Sequence, residues 1–423
     1  MIWQKTRNAM SIPRIGRLDQ PASTLCLATL LSPLGVENFF HTYWEKAYLH
    51  IARNAVSYYD NMLTVRDLDD YFQRQNLHPS FIKVLKCGVQ YGLEKWTTLQ
   101  QRRQTEPYRV IAVEELLTLY NEGATIVINA AETAFPALAG WCSALGYEFK
   151  CRLQANIYIT PPQARGGLPH YDTHDVLVLQ ISGHKQWRIY DMPEKWPITA
   201  QLLPAEAYAS RPPAQQYELQ AGDLLYLPRG LVHDACTTDS ASIHVTLGIQ
   251  SGYWFHLLEE LATLAQDDPV FRQSLPYGLS SNADKTAFVE QFIQRLRAFV
   301  ADVDLAALLE RRYAAFVSHQ VVDGRARFTD VLYVEQLTLD TLVSRRPHLH
   351  YLVEHGAQRV ELTFGQTTLT MPGFMSPVLE SFLRDQPFAV RAVKGLISDG
   401  GKLELVKRFV RAGFLTIVSS KVS

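Results

Sequence analysis

The sequence predicts an α+β protein in which an antiparallel jelly roll lies between two helical regions, and three observations carry that reading. Between Glu148 and Ile249 the chain breaks into short alternating runs punctuated by Pro and Gly. On either side of this stretch, apolar residues recur at helical spacing. The chain has 423 residues, 47% of them hydrophobic, enough for two to four units with cores of their own. Its 41 Lys and Arg are balanced by 42 Asp and Glu, a formal net charge of −1, so no global field draws it to nucleic acid or an anionic membrane. Cys26, Cys87, Cys142, Cys151 and Cys236 are odd in number and lack any Cys-x-x-Cys spacing, which fits reduced, mostly buried thiols better than disulfides or a zinc knuckle.

The N-terminal segment meets Pro13, Arg14 and Arg17 before any apolar run develops, unlike a signal peptide. No later stretch approaches the ~18 apolar residues of a membrane span. A soluble, cytoplasmic protein is the expectation. From about Leu31 to Phe72 the pattern is helical, with Phe39, Phe40, Tyr43 and Trp44 clustered and Thr64 capping a helix over 65–72. Val113 to Tyr120 predicts a helix stopped by Asn121-Glu122-Gly123; Ala124 to Ile128 predicts a buried strand, and Phe135 to Leu145 another helix. Strands are predicted at Ala155–Thr160, Val176–Ile181, Lys185–Tyr190, Tyr217–Leu219, Leu224–Leu227 and Ile243–Ile249. Ser182-Gly183 is a hairpin signal and Gly222-Asp223 a second turn.

From Tyr253 to about Gln320 the period is helical, with Leu257, Leu258, Leu261 and Leu264 on one face and Phe292, Leu296 and Phe299 on another. Asp268-Pro269 and Pro276 to Asn282 divide that region. Beyond Gly324 the text is mixed: a hairpin over Val360–Phe364 and Thr367–Met371, two helices, and a closing strand at Phe414–Val418.

The chemistry concentrates in His170-Tyr171-Asp172 and, far downstream, His233. Residues two apart on an extended strand project to one side, so His170 and Asp172 can converge on a point. One more imidazole completes two His and one carboxylate, the facial set of a non-haem Fe(II) site with open positions. The alternative is a polar loop with His233 capping a turn. Lys185 shares a strand face with Trp187 and Ile189, and if that face lines the barrel interior its ammonium needs an anion, such as a dicarboxylate co-substrate. It could instead snorkel out at a strand end. Asn156, Tyr158 and Thr160 alternate in the same way, lining the same cavity or forming a polar outer face. His174 and His184 are read as surface groups in preference to groups that back the metal ligands; His244 backs those ligands, faces the substrate or belongs to the core.

The segments Asn156-Ile157-Tyr158-Ile159-Thr160-Pro161-Pro162, His170-Tyr171-Asp172, Leu179 to Arg188 and Gly222 to His233 resemble the ribosomal oxygenases, JmjC-type cupins that hydroxylate ribosomal proteins. Phe39 to Lys46 and Gly123 to Asn129 are similar too. The resemblance implies a double-stranded β-helix (a JmjC cupin) over 1–250, a helical dimerisation region over 251–325 and a winged-helix-like domain over 326–423. It also implies an Fe(II)- and 2-oxoglutarate-dependent dioxygenase, acting with O2 on the β-carbon of a protein side chain and forming a homodimer. His170, Asp172 and His233 would ligate iron; Lys185 and Tyr158 would hold the distal carboxylate of 2-oxoglutarate; Asn156 would lie near its chelating end and Thr246 beside it. Lys185 resembles the histidine-hydroxylase branch, whereas the bacterial arginine hydroxylases carry Arg there. Gly248 departs from the Ser that human-type members place two residues after the match to Thr246.

Other readings are a hydroxylase of a peptide natural product or carrier-bound amino acid, a JmjC-fold demethylase, a JmjC-fold binding module and a nucleic-acid-binding regulator. The last is disfavoured, since Arg391, Lys394, Lys402, Lys407, Arg408 and Arg411 are spaced as on solvated helix faces and interleaved with Asp399 and Glu404.

Overall fold

The computed structural model describes residues 26–418 except 75–76, 102–105, 199–207, 209–210, 276, 278–280, 321–323 and 325. The N-terminal segment around Pro13 and part of the Pro276 to Asn282 break therefore lie outside the described residues. Two compact units divide the chain, one ending at Gln250 and the other beginning at Ser251.

Among the described residues the first unit has twelve strands: β1 (Leu49–Ile51), β2 (Ile82–Lys86), β3 (Val89–Gln90), β4 (Thr97–Gln100), β5 (Tyr108–Ile111), β6 (Thr125–Ile128), β7 (Arg152–Thr160), β8 (Asp175–Ile189), β9 (Gln215–Gln220), β10 (Leu224–Leu227), β11 (His233–Cys236) and β12 (Ser242–Gln250). The large sheet runs β1-β10-β8-β12-β7-β6-β2-β3, and the far half of β8 pairs instead with β9 and β11. All these pairings are antiparallel. This is the expected jelly roll, and its strands follow the period-2 rule. On β7 and β12, Leu153, Ala155, Ile157, Val245, Leu247 and Ile249 join the main core with Leu138, Trp141 and Leu145 of the helix Pro136–Phe149. Val176, Val178, Trp187, Ile189, Leu219, Leu225 and Leu227 form a second core between the two sheets. The opposite faces of β7 and β12 carry polar groups inward.

One expectation is corrected. Ser182-Gly183 is not a hairpin: β8 runs unbroken through it for 15 residues. Gly183 takes φ +63 and a Cβ there would run into the Ala241 carbonyl, while the register of β12 slips between Ile243 and His244. Glycine and bulge together turn one strand from the first sheet into the second. The further departures are smaller. The helical stretch from Leu31 to Phe72 is broken by β1, and β2 to β5 and β11 are strands outside the expected runs.

The second unit begins with helices Trp254–Ala265, Asn282–Asp302 and Leu305–Ser318. A mixed region follows, in which Arg359–Phe364 and Thr367–Pro372 form the expected hairpin. Phe364, Phe382, Phe409 and Phe414 centre its core. Asp330 anchors it by pairing with Arg346 and accepting from Ile417 N at 3.0 Å and Thr416 Oγ1 at 2.9 Å.

Candidate functional site

The inward faces of β7, β8, β10, β11 and β12 enclose a cavity of about 440 Å³ lined by Asn156, Tyr158, Val176, Val178, Lys185, Trp187, Leu227, His233, His244 and Thr246. Its rim carries His170, Asp172 and His174. His170 and His233, 63 residues apart in number, face each other across a two-residue antiparallel bridge, with His170 N donating to His233 O at 3.0 Å and His233 N to His170 O at 2.8 Å. Opposed residues of such a pair present side chains on one face. The backbone thus puts the two imidazoles side by side, ring centroids 4.7 Å apart. Asp172 follows just outside any regular strand, and its carbonyl accepts from Gly230 N at 3.0 Å.

The Nδ1 of His170 lies 2.8 Å from Leu168 O and that of His233 2.9 Å from Leu231 O. Each imidazole can therefore donate Nδ1–H to a carbonyl and leave its Nε2 lone pair free, as a metal-ligating histidine does. His233 Nε2 is 3.7 Å from Asp172 Oδ2. The three residues offer ligand atoms that all lie within 4.8 Å of one another, and two neutral nitrogens with one carboxylate suit Fe(II). Electrostatics agree with that set. Burial, reinforced by His170, lowers His233 to about 4, so its imidazole is neutral. Burial alone would raise Asp172, but His170, His233 and His174 outweigh it and hold the carboxyl below its usual range. Next to His233, Asp234 is clamped by Arg165 and by Arg188 at 2.7 and 2.9 Å, which ties β11 to β8.

Lys185 lies on the cavity face with Trp187, as the alternation required, and is 4% exposed. Its ammonium donates to Thr160 Oγ1 at 2.9 Å, and no carboxylate pairs with it among the described residues. Burial pushes it down to about 7. Tyr158 stacks on His244 with centroids 4.7 Å apart and 4° between planes. Burial and the Asp172 charge push Tyr158 up to about 12, so it is a neutral phenol. Asn156 sits opposite Thr246 in the ladder, its Oδ1 accepting from Ala130 N at 3.1 Å and Gln154 Nε2 at 3.2 Å.

All seven predicted site residues therefore line one cavity or its rim. The reading of His174 as a surface group is corrected: its ring packs against Gly248 at the cavity wall. His184 lies outside the cavity, 2.7 Å from Asp239 Oδ1. His244 is a cavity residue, 2% exposed. The partner of Lys185, Thr160, was visible only as a member of an alternating strand, and nothing in the sequence distinguishes it.

Residues 140–257 match the JmjC domain family. A relative from Drosophila grimshawi, a bifunctional lysine-specific demethylase and histidyl-hydroxylase NO66, is 30% identical over 282 residues, covering 63% of this chain and 37% of the relative. Ribosomal oxygenase 1 of Gallus gallus is 28% identical over 330 residues, covering 72% of this chain and 53% of the relative. The chain thus spans about a third to a half of the length of these curated relatives. Among solved structures, Escherichia coli ycfD aligns with TM-score 0.50 and 13% identity over 91% of this chain and 99% of its own. A structure of YcfD, a ribosomal oxygenase from Escherichia coli, in complex with cobalt and 2-oxoglutarate aligns at TM-score 0.50 and 13% identity over 90% of this chain and 98% of its own. At that identity the likeness is one of fold.

Proposed function

We propose that this chain, a ribosomal-oxygenase-like JmjC protein, is an Fe(II)- and 2-oxoglutarate-dependent dioxygenase that hydroxylates the β-carbon of an amino-acid side chain in a ribosomal protein. The observation that carries the reading is a buried Lys185 with no carboxylate partner among the described residues, on the wall of the cavity whose rim bears the His170, Asp172 and His233 set. A buried ammonium with only a hydroxyl partner is costly, and an anion entering the cavity relieves that cost. A dicarboxylate with one end on Lys185 and the other toward the metal set satisfies both demands.

His170, Asp172 and His233 would hold the iron. The chemistry supplied by bound Fe(II) is the oxidative decarboxylation of 2-oxoglutarate to succinate and CO2, with one atom of O2 retained in succinate and the other inserted into a substrate C–H bond. The chain's own groups prepare this. Lys185 and Tyr158 hold the distal carboxylate, Thr160 aims the ammonium, and the stack on His244 fixes the phenol ring. Asn156, its Oδ1 occupied, keeps its amide N–H groups for the oxo-acid end, with Thr246 beside it. Trp187, Val176, Val178 and Leu227 exclude water. Mixing the purified protein with Fe(II), 2-oxoglutarate and ribosomal proteins should release succinate and leave a product 16 Da heavier, about the mass of one oxygen atom; release of succinate with no modified ribosomal protein would redirect the substrate to a peptide or carrier-bound amino acid.

The helices over 254–318 expose an apolar stripe, which supports a homodimer formed through them. No helix among the described residues is long and apolar enough to cross a membrane.

A further inference from the structure

The inward residues of β7 and β12 make a ladder of facing pairs: Tyr158 with His244, Asn156 with Thr246, and Gln154 with Gly248. The first two pairs each place a polar side chain from β12 on the cavity. The third has none from β12, because position 248 is glycine at an ordinary backbone angle that does not itself require one. Its place is taken. A Cβ on Gly248 would stand 2.7 Å from His174 Nε2 and 2.8 Å from His174 Cδ2, closer than real atoms approach. The His174 ring therefore fills the space of a 248 side chain, and glycine is the residue that admits it.

His174 lies two residues beyond Asp172, at the metal side of the cavity, whereas Lys185 hydrogen-bonds at Thr160, the opposite end of β7's inward row. No hydrogen bond to another residue ties its imidazole down among the described residues.

Resting on the reading above, we propose that His174 is a co-substrate-binding residue, donating a hydrogen bond from its imidazole to the oxo-acid end of 2-oxoglutarate, and that Gly248 exists to make room for it. The two positions form a matched pair. A larger side chain at 248 displaces the ring, and an apolar side chain at 174 removes the donor.

The test measures calorimetric binding of 2-oxoglutarate and of pyruvate, which keeps the oxo-acid end and lacks the distal carboxylate, to the full chain loaded with Mn(II). Wild type is compared with H174L, H174Q, G248S and K185A. K185A should weaken 2-oxoglutarate and spare pyruvate. H174L should weaken both ligands by the same factor, about tenfold for a lost hydrogen bond to a charged group. H174Q, which keeps a donor, should recover most of that loss, and G248S should behave like H174L. Mn(II) affinity should stay at the wild-type value in all four. Binding of both ligands by H174L within twofold of wild type overturns the proposal, as does a loss confined to 2-oxoglutarate. A wild-type protein that does not prefer 2-oxoglutarate to pyruvate overturns the co-substrate reading itself. If G248S does not fold, the leucine and glutamine variants decide.

Discussion

At the scale of single residues, Lys185 makes the most quantitative demand. In water its ammonium would hold a proton to about pH 10.5, but burial pulls it to about 7 in the folded protein. An anionic ligand binds the protonated form, so above pH 7 binding must also take up a proton. Affinity for 2-oxoglutarate should therefore fall as pH rises past about 7, approaching tenfold per unit. Titration calorimetry at pH 6.5, 7.5 and 8.5 in buffers of differing ionisation enthalpy checks both the slope and the proton uptake. Stability carries the opposite sign to a salt-bridged lysine. Between about pH 7 and 10.5 the unfolded chain binds the extra proton, so the contribution of Lys185 to stability rises with pH in that window. K185M should thus raise the melting temperature of the ligand-free protein near pH 7, with the gain shrinking toward pH 10, while weakening 2-oxoglutarate by about 100-fold. A variant that melts lower than wild type at pH 7 would count against a buried, unpaired ammonium.

The metal set makes a second demand at this scale. With both Nδ1 atoms committed to backbone carbonyls, the Nε2 atoms of His170 and His233 have no competing hydrogen bond to a side chain among the described residues. Replacing His233 or Asp172 by Ala should lower Mn(II) or Co(II) affinity by about 100-fold or more, beyond the usual cost of an outer partner, with the fold kept as judged by circular dichroism. The His-x-Asp spacing made two members of this set legible in the sequence. The third was legible only as a histidine after a turn, because the bridge that brings His233 opposite His170 is a pairing of distant backbones. His174 was misread for the same reason: what makes it a cavity residue is the missing Cβ of Gly248, on another strand.

Elements were legible where their signals are local. Thr64 caps Val65–Phe72 with a full capping box, its hydroxyl accepting from Asp67 N at 3.3 Å while Asp67 Oδ2 takes the Thr64 N–H at 2.8 Å. Gly222 turns at φ +95 before β10 as its sequence suggests. Ser182-Gly183 has the same local signal and the opposite outcome. A glycine at positive φ serves a hairpin or a strand bent between two sheets, and the choice is made by the Ala241–Ile243 segment lying against it. β11 was missed because a charged Asp234 breaks its apolar pattern, and the charge is buried only through Arg165 and Arg188. The bend at Gly183 sets the direction from which Lys185, two residues later, faces the cavity. Gly183→Val combines a disfavoured backbone angle with a collision against the Ala241 carbonyl and should cost about 3 kcal/mol or more. Urea denaturation followed by tryptophan fluorescence measures it; an unchanged midpoint would mean that the strand bends without needing glycine.

For the whole molecule, charge balance said little about partners, and surface texture says more. On the helix Asn282–Asp302, Val289, Phe292, Ile293 and Leu296 recur at i, i+3, i+4 and i+7 and are all exposed, between 41% and 51%. Trp254 and Leu258 on the first helix and Leu305 and Leu309 on the third repeat the pattern at i and i+4. An apolar stripe of helical period is what a core-facing helix displays, yet in a single chain these side chains face water. A second copy covers them most economically, because a two-fold interface sets the same stripe against itself. Light scattering after gel filtration should then report twice the 48.0 kDa of one chain. F292E with L296E places a charge in each half of that interface and should yield a monomer at micromolar concentration. Since the cavity residues all belong to the unit ending at Gln250, the monomer should bind 2-oxoglutarate with wild-type affinity. A double variant that remains dimeric would move the interface elsewhere, and one that turns monomeric and loses the co-substrate would show that assembly shapes the cavity.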